Sequence, residues 1–321
     1  MRKDFVNSVS EALGIGRKDL VEKDVILHQI LLDLSKDGFF SENFLFKGGT
    51  CLIKCYLGYF RFSEDMDFTW KNQAVFRGKS QKEVRRSLSG TISQLGKMFE
   101  TIADERGLDF RCEKNNTHYV ELGGGNKTVT FKLWYAGSMN LESFVKVQIN
   151  FLESVLFPGA RIPARTLLSG SVKAMEASLL FPKEYAEYSR DVALECYDAR
   201  EIMCEKIRAI LTRRGAKARD FVDCYLISKK LGIRPESLEE EAKVKVAFML
   251  ELYGKYRDNI REKISLLDSG RIFSWGEEKG LLLSSMDEKD FYGFMKGFTD
   301  FLRKIAGGCL GMQHKSLKGK D

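Results

Sequence analysis

Several features that define common protein classes are scarce or missing in this chain of 321 residues. It has 4 prolines and 3 histidines, and His28, His118 and His314 lie far apart in sequence. That spacing gives little support to a histidine-based metal site or a catalytic triad. No run of about 18 apolar residues is present, and the N-terminus lacks the apolar core of a signal peptide. We therefore expect a cytoplasmic protein that contacts no membrane and whose chemistry rests on carboxylates and lysines.

The seven cysteines form no recognisable pattern in the sequence. Their number is odd and no C-x-x-C pair occurs, so the spacing indicates neither a disulfide framework nor a zinc site. We expect them to be reduced and structural. They are Cys51, Cys55, Cys112, Cys196, Cys204, Cys224 and Cys309.

The composition is that of a folded protein with a modest positive charge. Hydrophobic residues make up 44% and aromatic residues 12% of the chain, enough for a core and about two modest domains. The net charge of +7 fits either a polyanionic partner or mere solubility. The segment from Lys206 to Arg219 contains six basic residues and no acid. It predicts a surface that attracts phosphate groups, and the alternative is a solvated basic helix. It contains Lys206, Arg208, Arg213, Arg214, Lys217 and Arg219.

Hydrophobic periodicity predicts an α+β N-terminal part. Apolar residues at three- and four-residue intervals indicate helices, and alternating ones indicate half-buried strands. The glycines and asparagine at 123–126 are followed by a strand, so they predict a hairpin and not a phosphate loop. The predicted helices cover 19–36, 50–56 and 81–105, and the predicted strands cover 44–46, 63–70, 109–113, 118–122, 128–135 and 145–152.

The C-terminal part is predicted to be mainly helical. Three of the four prolines, Pro158, Pro163 and Pro182, lie close together and indicate a domain junction. Beyond it, Asp198 is placed to cap a helix, and Ser237 and Glu240 have the spacing of a capping box. The predicted helices cover 199–213, 219–230, 237–266 and 288–305. We therefore divide the chain into a domain over 1–165, a helical domain over 166–306 and a flexible tail over 307–321.

Two short motifs carry the chemistry. In an extended strand, residues i and i+2 point to the same side, so Asp65 and Asp67 present two carboxylates together while Met66 and Phe68 point into the core. Paired carboxylates are hard oxygen ligands that suit Mg²⁺ or Mn²⁺ rather than zinc. Two such ions can stabilise both oxygens of an in-line phosphoryl displacement.

The second motif is a glycine loop upstream of the two acids. Gly48 and Gly49 allow backbone N–H groups to approach a triphosphate, and Thr50 adds a hydroxyl near a helix N-terminus. Lys47 precedes the glycines, so this is not a Walker A loop. Each motif alone is common without function, but their order and helix-length separation favour a nucleotidyltransferase.

Several separated segments then resemble the four motifs of a known family. The first three are Val21-Glu22-Lys23-Asp24, Phe46-Lys47-Gly48-Gly49-Thr50 and Arg61-Phe62-Ser63-Glu64-Asp65-Met66-Asp67-Phe68. Two later segments, Arg200 to Lys206 and Ala218 to Tyr225, resemble the family's third and fourth motifs. In this order they are similar to the motifs of the AbiEii/AbiGii-type nucleotidyltransferase toxins of abortive-infection and type IV toxin–antitoxin systems. The resemblance covers roughly residues 20 to 230.

The resemblance implies a polymerase-β-like core with a mixed or antiparallel sheet, followed by a helical domain. It implies transfer of a nucleotide from an NTP to RNA, in some relatives the tRNA acceptor end, and a separately encoded antitoxin. Asp65 and Asp67 would hold metal, while Lys206 and Asp220 would complete the site from the second domain. Lys47, Gly48, Gly49, Thr50, Arg61 and Ser63 would bind the nucleotide or support its loop.

Some alternatives stay open at the level of sequence. Asp220 and Asp223 fit a charged helix face equally well, with Arg219 placed four residues before Asp223, and Arg61 fits a surface charge. The strand next to the acids offers Gln148 and Asn150 where a third carboxylate is common, so Glu153 or Asp220 supplies that acid or the site lacks it. The acceptor is then RNA, a protein hydroxyl or a small molecule, or the chain is a catalytically decayed binding module.

Overall fold

The computed structural model describes residues 2–76, 78–137, 142–170 and 175–316. The chain divides into two compact units. The first unit contains Met1–Glu153 and Gly159–Tyr197, and the second contains Ser154–Pro158 and Asp198–Asp321. Among the described residues, no helix has the length and apolar character needed to cross a bilayer.

The described residues of the first unit form one mixed sheet of seven strands. The strands are β1 Phe44–Lys47, β2 Asp65–Trp70, β3 Val120–Gly123, β4 Thr128–Ala136, β5 Glu142–Asn150, β6 Ala160–Ala164 and β7 Val192–Cys196. Their order in the sheet is β3-β4-β5-β2-β1-β7-β6. Strand β1 runs parallel to β7 and β2 runs parallel to β5, whereas the remaining neighbours are antiparallel. The predicted mixed sheet is therefore confirmed.

Seven α-helices are described in the first unit. They are α1 Arg2–Leu13, α2 Lys18–Lys36, α3 Gly38–Asn43, α4 Gly48–Cys51, α5 Gln81–Arg106, α6 Met175–Leu180 and α7 Pro182–Tyr188. A π-helical turn over Leu52–Leu57 directly follows α4. The apolar stripe of α2 is buried, as its spacing predicts, and α5 begins with a capping box between Ser80 and Glu83.

Aromatic rings fill the space under the central strands. The rings of Phe40 and Phe44 stack with centroids 4.6 Å apart, and Phe68 meets Phe40 edge to face at 4.8 Å. Phe46 packs against Phe68 across the β1–β2 pair at 5.2 Å. Each buried aromatic side chain of this kind contributes a few kcal/mol through removal from water. The core therefore fixes the two strands that carry the motifs.

A buried charged pair anchors the turn that follows the glycine loop. Nζ of Lys54, in the π-helical turn, lies 2.9 Å from a carboxylate oxygen of Asp24 on α2, and both side chains are nearly inaccessible. The hydroxyls of Tyr59 and Tyr188 donate to the same carboxylate at 2.8 and 2.5 Å. Burial, followed by the charge of Asp24, raises the pKa of both phenols. Because the buried carboxylate contacts one ammonium and two hydroxyl donors, this network holds α2 and the π-helical turn together.

The second unit is helical, which confirms the predicted character of the C-terminal part. Asp198 caps its first helix by accepting a bond from the backbone N–H of Arg200 at 2.8 Å. Glu201 accepts bonds from the N–H groups of Leu156 and Phe157, both at 2.8 Å, and so attaches segment 154–158 to this unit. The helices are α8 Ala199–Thr212, α9 Ala218–Leu231, α10 Glu239–Leu252, α11 Tyr256–Asp268 and α12 Glu288–Ser316.

Three details differ from the sequence-based expectation. Segment 109–113 forms only an isolated bridge between Asp109 and Trp134. The helix expected over 237–266 is two helices, separated near Gly254, and the hydroxyl of Ser237 donates to the carbonyl of Arg234 instead of capping. A backbone acceptor only three residues away outcompetes the capping geometry there.

The unit boundary also lies elsewhere than the division drawn from sequence at residue 165. Strands β6 and β7 pair with each other and extend the sheet through β1, so the proline-rich stretch belongs to the first unit. The first unit therefore continues to Tyr197. At the C-terminus, α12 continues to Ser316 through most of the expected tail, and residues 317–321 lie outside the described part.

Candidate functional site

The two predicted acids, Asp65 and Asp67, stand together on one side of β2. Asp65 and Asp67 are partly exposed, whereas the alternating residues Met66 and Phe68 are 0% and 1% exposed. The strand therefore points its apolar side chains into the core and both carboxylates the other way, as its alternation predicts.

The glycine loop lies against these acids. Strands β1 and β2 pair with Lys47 opposite Asp67, so the loop begins at the level of the second acid. Gly48 has φ of +76°, and a Cβ added there would lie 2.2 Å from Oδ2 of Asp67. Only glycine combines this backbone conformation with so close an approach. The structure thus brings the two motifs into direct contact.

Thr50, Arg61 and Ser63 link the loop to β2. The hydroxyl of Thr50 is 2.8 Å from that of Ser63 and also bonds the carbonyl oxygen of Asp65. Arg61 is 2% exposed, and its Nη1 donates to the carbonyl of Phe62 at 2.8 Å. A Cβ on Gly49 would lie 2.7 Å from Nη2 of Arg61. Arg61 is therefore a buried support of the loop and not a surface charge.

Lys47 is held by Glu153. Its Nζ lies 3.5 Å from a carboxylate oxygen of Glu153, and the two side chains are 5% and 2% exposed. The same ammonium sits 5.4 Å from the ring centroid of Tyr197. Glu153, one of the acids considered as a third carboxylate, thus makes a buried ion pair with the lysine of the glycine loop.

The neighbouring parallel strand places an amide beside the acids. In the β2–β5 register, Gln148 is opposite Asp67, Lys146 is opposite Asp65 and Asn150 is opposite Thr69. Cross-strand partners share one face of a sheet. The group next to Asp67 on this side is therefore a neutral amide, as the sequence suggests, and neither Gln148 nor Asn150 adds a third carboxylate to the pair.

Lys206 and Asp220 meet within the second unit. Nζ of Lys206 on α8 lies 2.7 Å from carboxylate oxygens of both Asp220 and Asp223 on α9, and Arg213 bonds Asp220 at 2.9 Å. Burial opposes ionisation of Asp220, but Lys206 and Arg213 outweigh it and lower its pKa to about 2. Asp220 and Asp223 are thus buried partners of Lys206 and not a charged helix face.

The basic segment is less exposed to anions than its sequence indicates. Arg208 pairs with Glu205 and Arg219 with Glu278, each at 3.5 Å, in addition to the pairs of Lys206 and Arg213. These acids come from outside the segment or from its flanks, so four of the six basic residues of the segment are paired with carboxylates. The predicted phosphate-attracting surface is accordingly weaker here than the sequence count suggests.

Comparison with known proteins decides the family. The family model of the nucleotidyl transferase AbiEii toxin, type IV toxin–antitoxin system, matches residues 29–300. The chain belongs to the AbiEii family. Among solved structures, it is similar to MenT4, a nucleotidyltransferase toxin from Mycobacterium tuberculosis H37Rv, with 17% identity and a TM-score of 0.48 over 94% of this chain and 88% of that one. No curated protein matches the chain.

Membership of the AbiEii family identifies the chain as a nucleotidyltransferase toxin of a type IV toxin–antitoxin system. The family description also suggests a nucleotide substrate and an antitoxin partner, and nucleotidyltransferases typically need divalent metal ions. The AbiEii match includes the glycine loop, the two acids of β2 and the Lys206 cluster.

Two features of this AbiEii chain have no clear signal in the sequence. Asp24 and Lys54 form the buried pair behind the glycine loop, although only the resemblance marks the segment around Asp24. The cysteine spacing predicts no metal site, yet the sulfur atoms of Cys51, Cys55 and Cys196 lie close together. Contacts of this kind join residues that are distant in sequence, so periodicity and spacing do not report them.

Proposed function

We propose that this chain is the toxin enzyme that transfers a nucleotide from an NTP to RNA, with tRNA as the favoured acceptor. The proposal includes action in the cytoplasm, where NTPs and tRNA occur, restraint by a cognate antitoxin and a role in abortive infection by phage. The observation that carries it is the close approach of Gly48 to Asp67, where an added Cβ would lie 2.2 Å from Oδ2, because it joins a phosphate loop to a carboxylate pair.

Asp65 and Asp67 are the residues proposed to hold the metal ions. Two carboxylates on one face, with the amide of Gln148 beside them, form an oxygen-rich donor set that fits Mg²⁺ or Mn²⁺. Bound divalent ions stabilise the negative charge that develops on the attacking and leaving oxygens. The protein's own contribution is to fix both carboxylates through β2 and its pairing with β1.

The glycine loop is proposed to bind the triphosphate. Gly48, Gly49 and Thr50 start a helical segment, and the first N–H groups of a helix lack intrahelical partners and attract anions. Arg61 and Ser63 keep this loop in place, while Lys47 contributes a positive charge whose position is set by Glu153. The triphosphate is thereby oriented toward the acids rather than merely attracted.

Lys206 and Asp220 are proposed to serve the same reaction from the second unit, as the family resemblance implies. An ammonium can neutralise charge on a triphosphate, and a carboxylate whose pKa is as low as that of Asp220 is better suited to position a cation than to accept a proton. The two groups are held together by an ion pair, with Nζ of Lys206 2.7 Å from Oδ1 of Asp220. Lys206→Met and Asp220→Asn should then lower nucleotide transfer, with folding checked by thermal unfolding.

A basic cavity in the first unit favours RNA as the acceptor. It has a volume of about 440 Å³ and is lined by one end of α5 and by residues near the β3–β4 hairpin. Lys82, Arg85, Arg86 and Lys114 line it, and none of its described lining residues is acidic. Clustered cations without acids attract phosphate backbones through release of counterions.

The deciding experiment is transfer of label from each α-³²P-labelled NTP, tested separately, to total tRNA in the presence of Mg²⁺. The wild-type chain should label RNA, and Asp67→Asn should reduce the rate by at least ~100-fold because it removes several kcal/mol of charge stabilisation. Asp258→Asn, an exposed acid on α11, is the matched control and should retain full activity.

A second variant separates the acceptor from the chemistry. Replacing Lys82, Arg85 and Arg86 together by Gln should raise the KM for tRNA and flatten its salt dependence while leaving NTP binding unchanged. Label on protein or on a small molecule, with none on RNA, would contradict the RNA proposal but not the enzyme class. Absence of NTP binding in wild-type protein would identify a decayed binding module.

A further inference from the structure

Three cysteines from distant parts of the sequence meet behind the glycine loop. Cys51 ends α4, Cys55 lies in the π-helical turn and Cys196 ends β7. Their sulfur atoms all lie within 4.8 Å of one another. The parallel pairing of β1 with β7, with Cys196 opposite Phe46, brings the third cysteine to the helix that carries the other two.

The cluster is buried but has one accessible member. Cys51 is 0% and Cys196 is 1% exposed, whereas Cys55 is partly exposed. The thiol of Cys196 donates to the carbonyl oxygen of Ala160 at 3.1 Å, and the hydroxyl of Tyr56 lies 3.8 Å from the same sulfur. Cys55 therefore offers a route by which an ion or a base reaches the two buried sulfurs.

The chemistry of three converging thiols points to one class of ligand. Thiolates are soft ligands that select Zn²⁺ and Cu⁺, whereas Mg²⁺ and Mn²⁺ prefer oxygen. Sulfur ligands at about 2.3 Å from a zinc ion lie roughly 3.8 Å apart in tetrahedral geometry, a separation compatible with this cluster.

We propose that Cys51, Cys55 and Cys196 together bind one thiophilic cation, Zn²⁺ or Cu⁺, as a three-thiolate site. Three S–H bonds break, three metal–sulfur bonds form and three protons pass to solvent, with no change of oxidation state. Nothing in this step depends on the metal ions of Asp65 and Asp67, because the ligand types differ.

A cation bound by these cysteines would steady the glycine loop, because one of its ligands is adjacent to the loop in the chain. Cys51 follows Thr50 directly in the chain, and Thr50 bonds the carbonyl of Asp65. A cation shared with Cys196 would join the helix that starts at Gly48 to the end of β7. Its binding should therefore raise the thermal midpoint of the first unit, since a ligand that binds only the folded state stabilises it.

The test uses the full chain, prepared anaerobically under reducing conditions and freed of metal. Titration with Co²⁺ should produce thiolate-to-cobalt charge-transfer absorption that saturates at one ion per chain. Zn²⁺ and, in a separate arm, Cu⁺ should displace it in competition with a chromophoric chelator, and their relative affinities identify the preferred ion. X-ray absorption of the loaded protein should count three sulfur ligands.

Cys55→Ser is the informative variant because its partly exposed side chain allows replacement without disturbing the core. It should weaken binding by at least about tenfold, since even loss of an outer-shell partner often costs that much. Cys112→Ser, at another partly exposed cysteine of the first unit, is the matched control and should bind normally. Equal binding in Cys55→Ser, or a disulfide between two of the three cysteines in the reduced preparation, would overturn the proposal.

Discussion

Gly48 and Asp67 are in contact in a way that only glycine permits. A Cβ on Gly48 would lie 2.2 Å from Oδ2 and 2.9 Å from Cγ of Asp67. Any larger residue must therefore push the carboxylate away from its position on β2. The relationship places a pair of glycines in direct contact with an acid 19 positions later in the chain.

Gly48→Ala should abolish most nucleotide transfer while leaving a folded protein. The backbone cost of a positive φ is about 1 kcal/mol, but the displaced carboxylate should reduce the transfer rate by roughly 100-fold. Gly58→Ala is the matched control, because Gly58 has φ of +75° and no atom within 4 Å of an added Cβ. Equal activity of the two variants in the tRNA-labelling assay would show that the contact is unimportant.

Gln148→Glu should strengthen metal binding at the proposed site. Gln148 is opposite Asp67, so a third carboxylate there would add on the order of 1 kcal/mol of attraction and lower the half-saturating Mg²⁺ concentration roughly fivefold. Without metal, the added like charge should lower the thermal midpoint. Thr130→Glu places the same charge one strand further away on β4, and an identical shift in both variants would contradict the prediction.

Lys54→Met should destabilise the first unit strongly. It leaves the buried carboxylate of Asp24 without its ammonium partner, and breaking such a pair costs about 3 kcal/mol or more. Adding Asp24→Asn to the same chain should recover part of the loss. Urea unfolding is the measurement, with Arg261→Met as control, since its pair with Asp258 is exposed and contributes little. Equal urea midpoints for Lys54→Met and Arg261→Met would contradict this prediction.

Stability should fall as the pH is lowered below about 6.5, partly through His28. Its Nε2 donates to the carbonyl of Arg190 at 2.7 Å, and burial, followed by the charge of Lys54, lowers its pKa to about 3. Between pH 6.5 and about pH 3, the His28 imidazole is protonated in the unfolded chain but not in the folded chain. The free energy of unfolding therefore decreases as the pH falls through this range.

The contribution of His28 can be isolated by substitution. Relative to pH 7, the wild-type chain should lose about 2 kcal/mol more at pH 5 than His28→Gln, whose amide can donate to the same carbonyl without titrating. The difference is read from urea midpoints at the two pH values. Parallel loss in both chains would assign the acid sensitivity to other groups.

Much of the fold follows from local patterns in the sequence. The apolar stripe of α2, the alternation of β5 and the Asp198 cap of α8 are all visible in sequence and present in the structure. These features depend on residues within a few positions of one another. For the same reason the two acids and the glycine loop could be identified together.

The remaining features depend on long-range pairing. Strand β7 pairs with β1 although it lies about 145 residues later in the chain. The sequence does not reveal this pairing, so the prolines near β6 predict a domain junction where the structure continues the sheet. The basic run from Lys206 to Arg219 predicts an exposed charge because the acids that pair with two of its members, Asp223 and Glu278, lie outside the run. Sequence spacing carries no record of such pairings.

The position of β1 in the sheet affects how the chain folds while it is being synthesised. Strand β1 enters the glycine loop, and its two neighbours are β2, which follows closely, and β7, which ends at Cys196. During synthesis the loop therefore has only one flanking strand until more than half of the chain has emerged. A nascent chain that ends before β7 carries the glycine loop and the two acids of β2 on a sheet in which β1 still lacks one of its two neighbours.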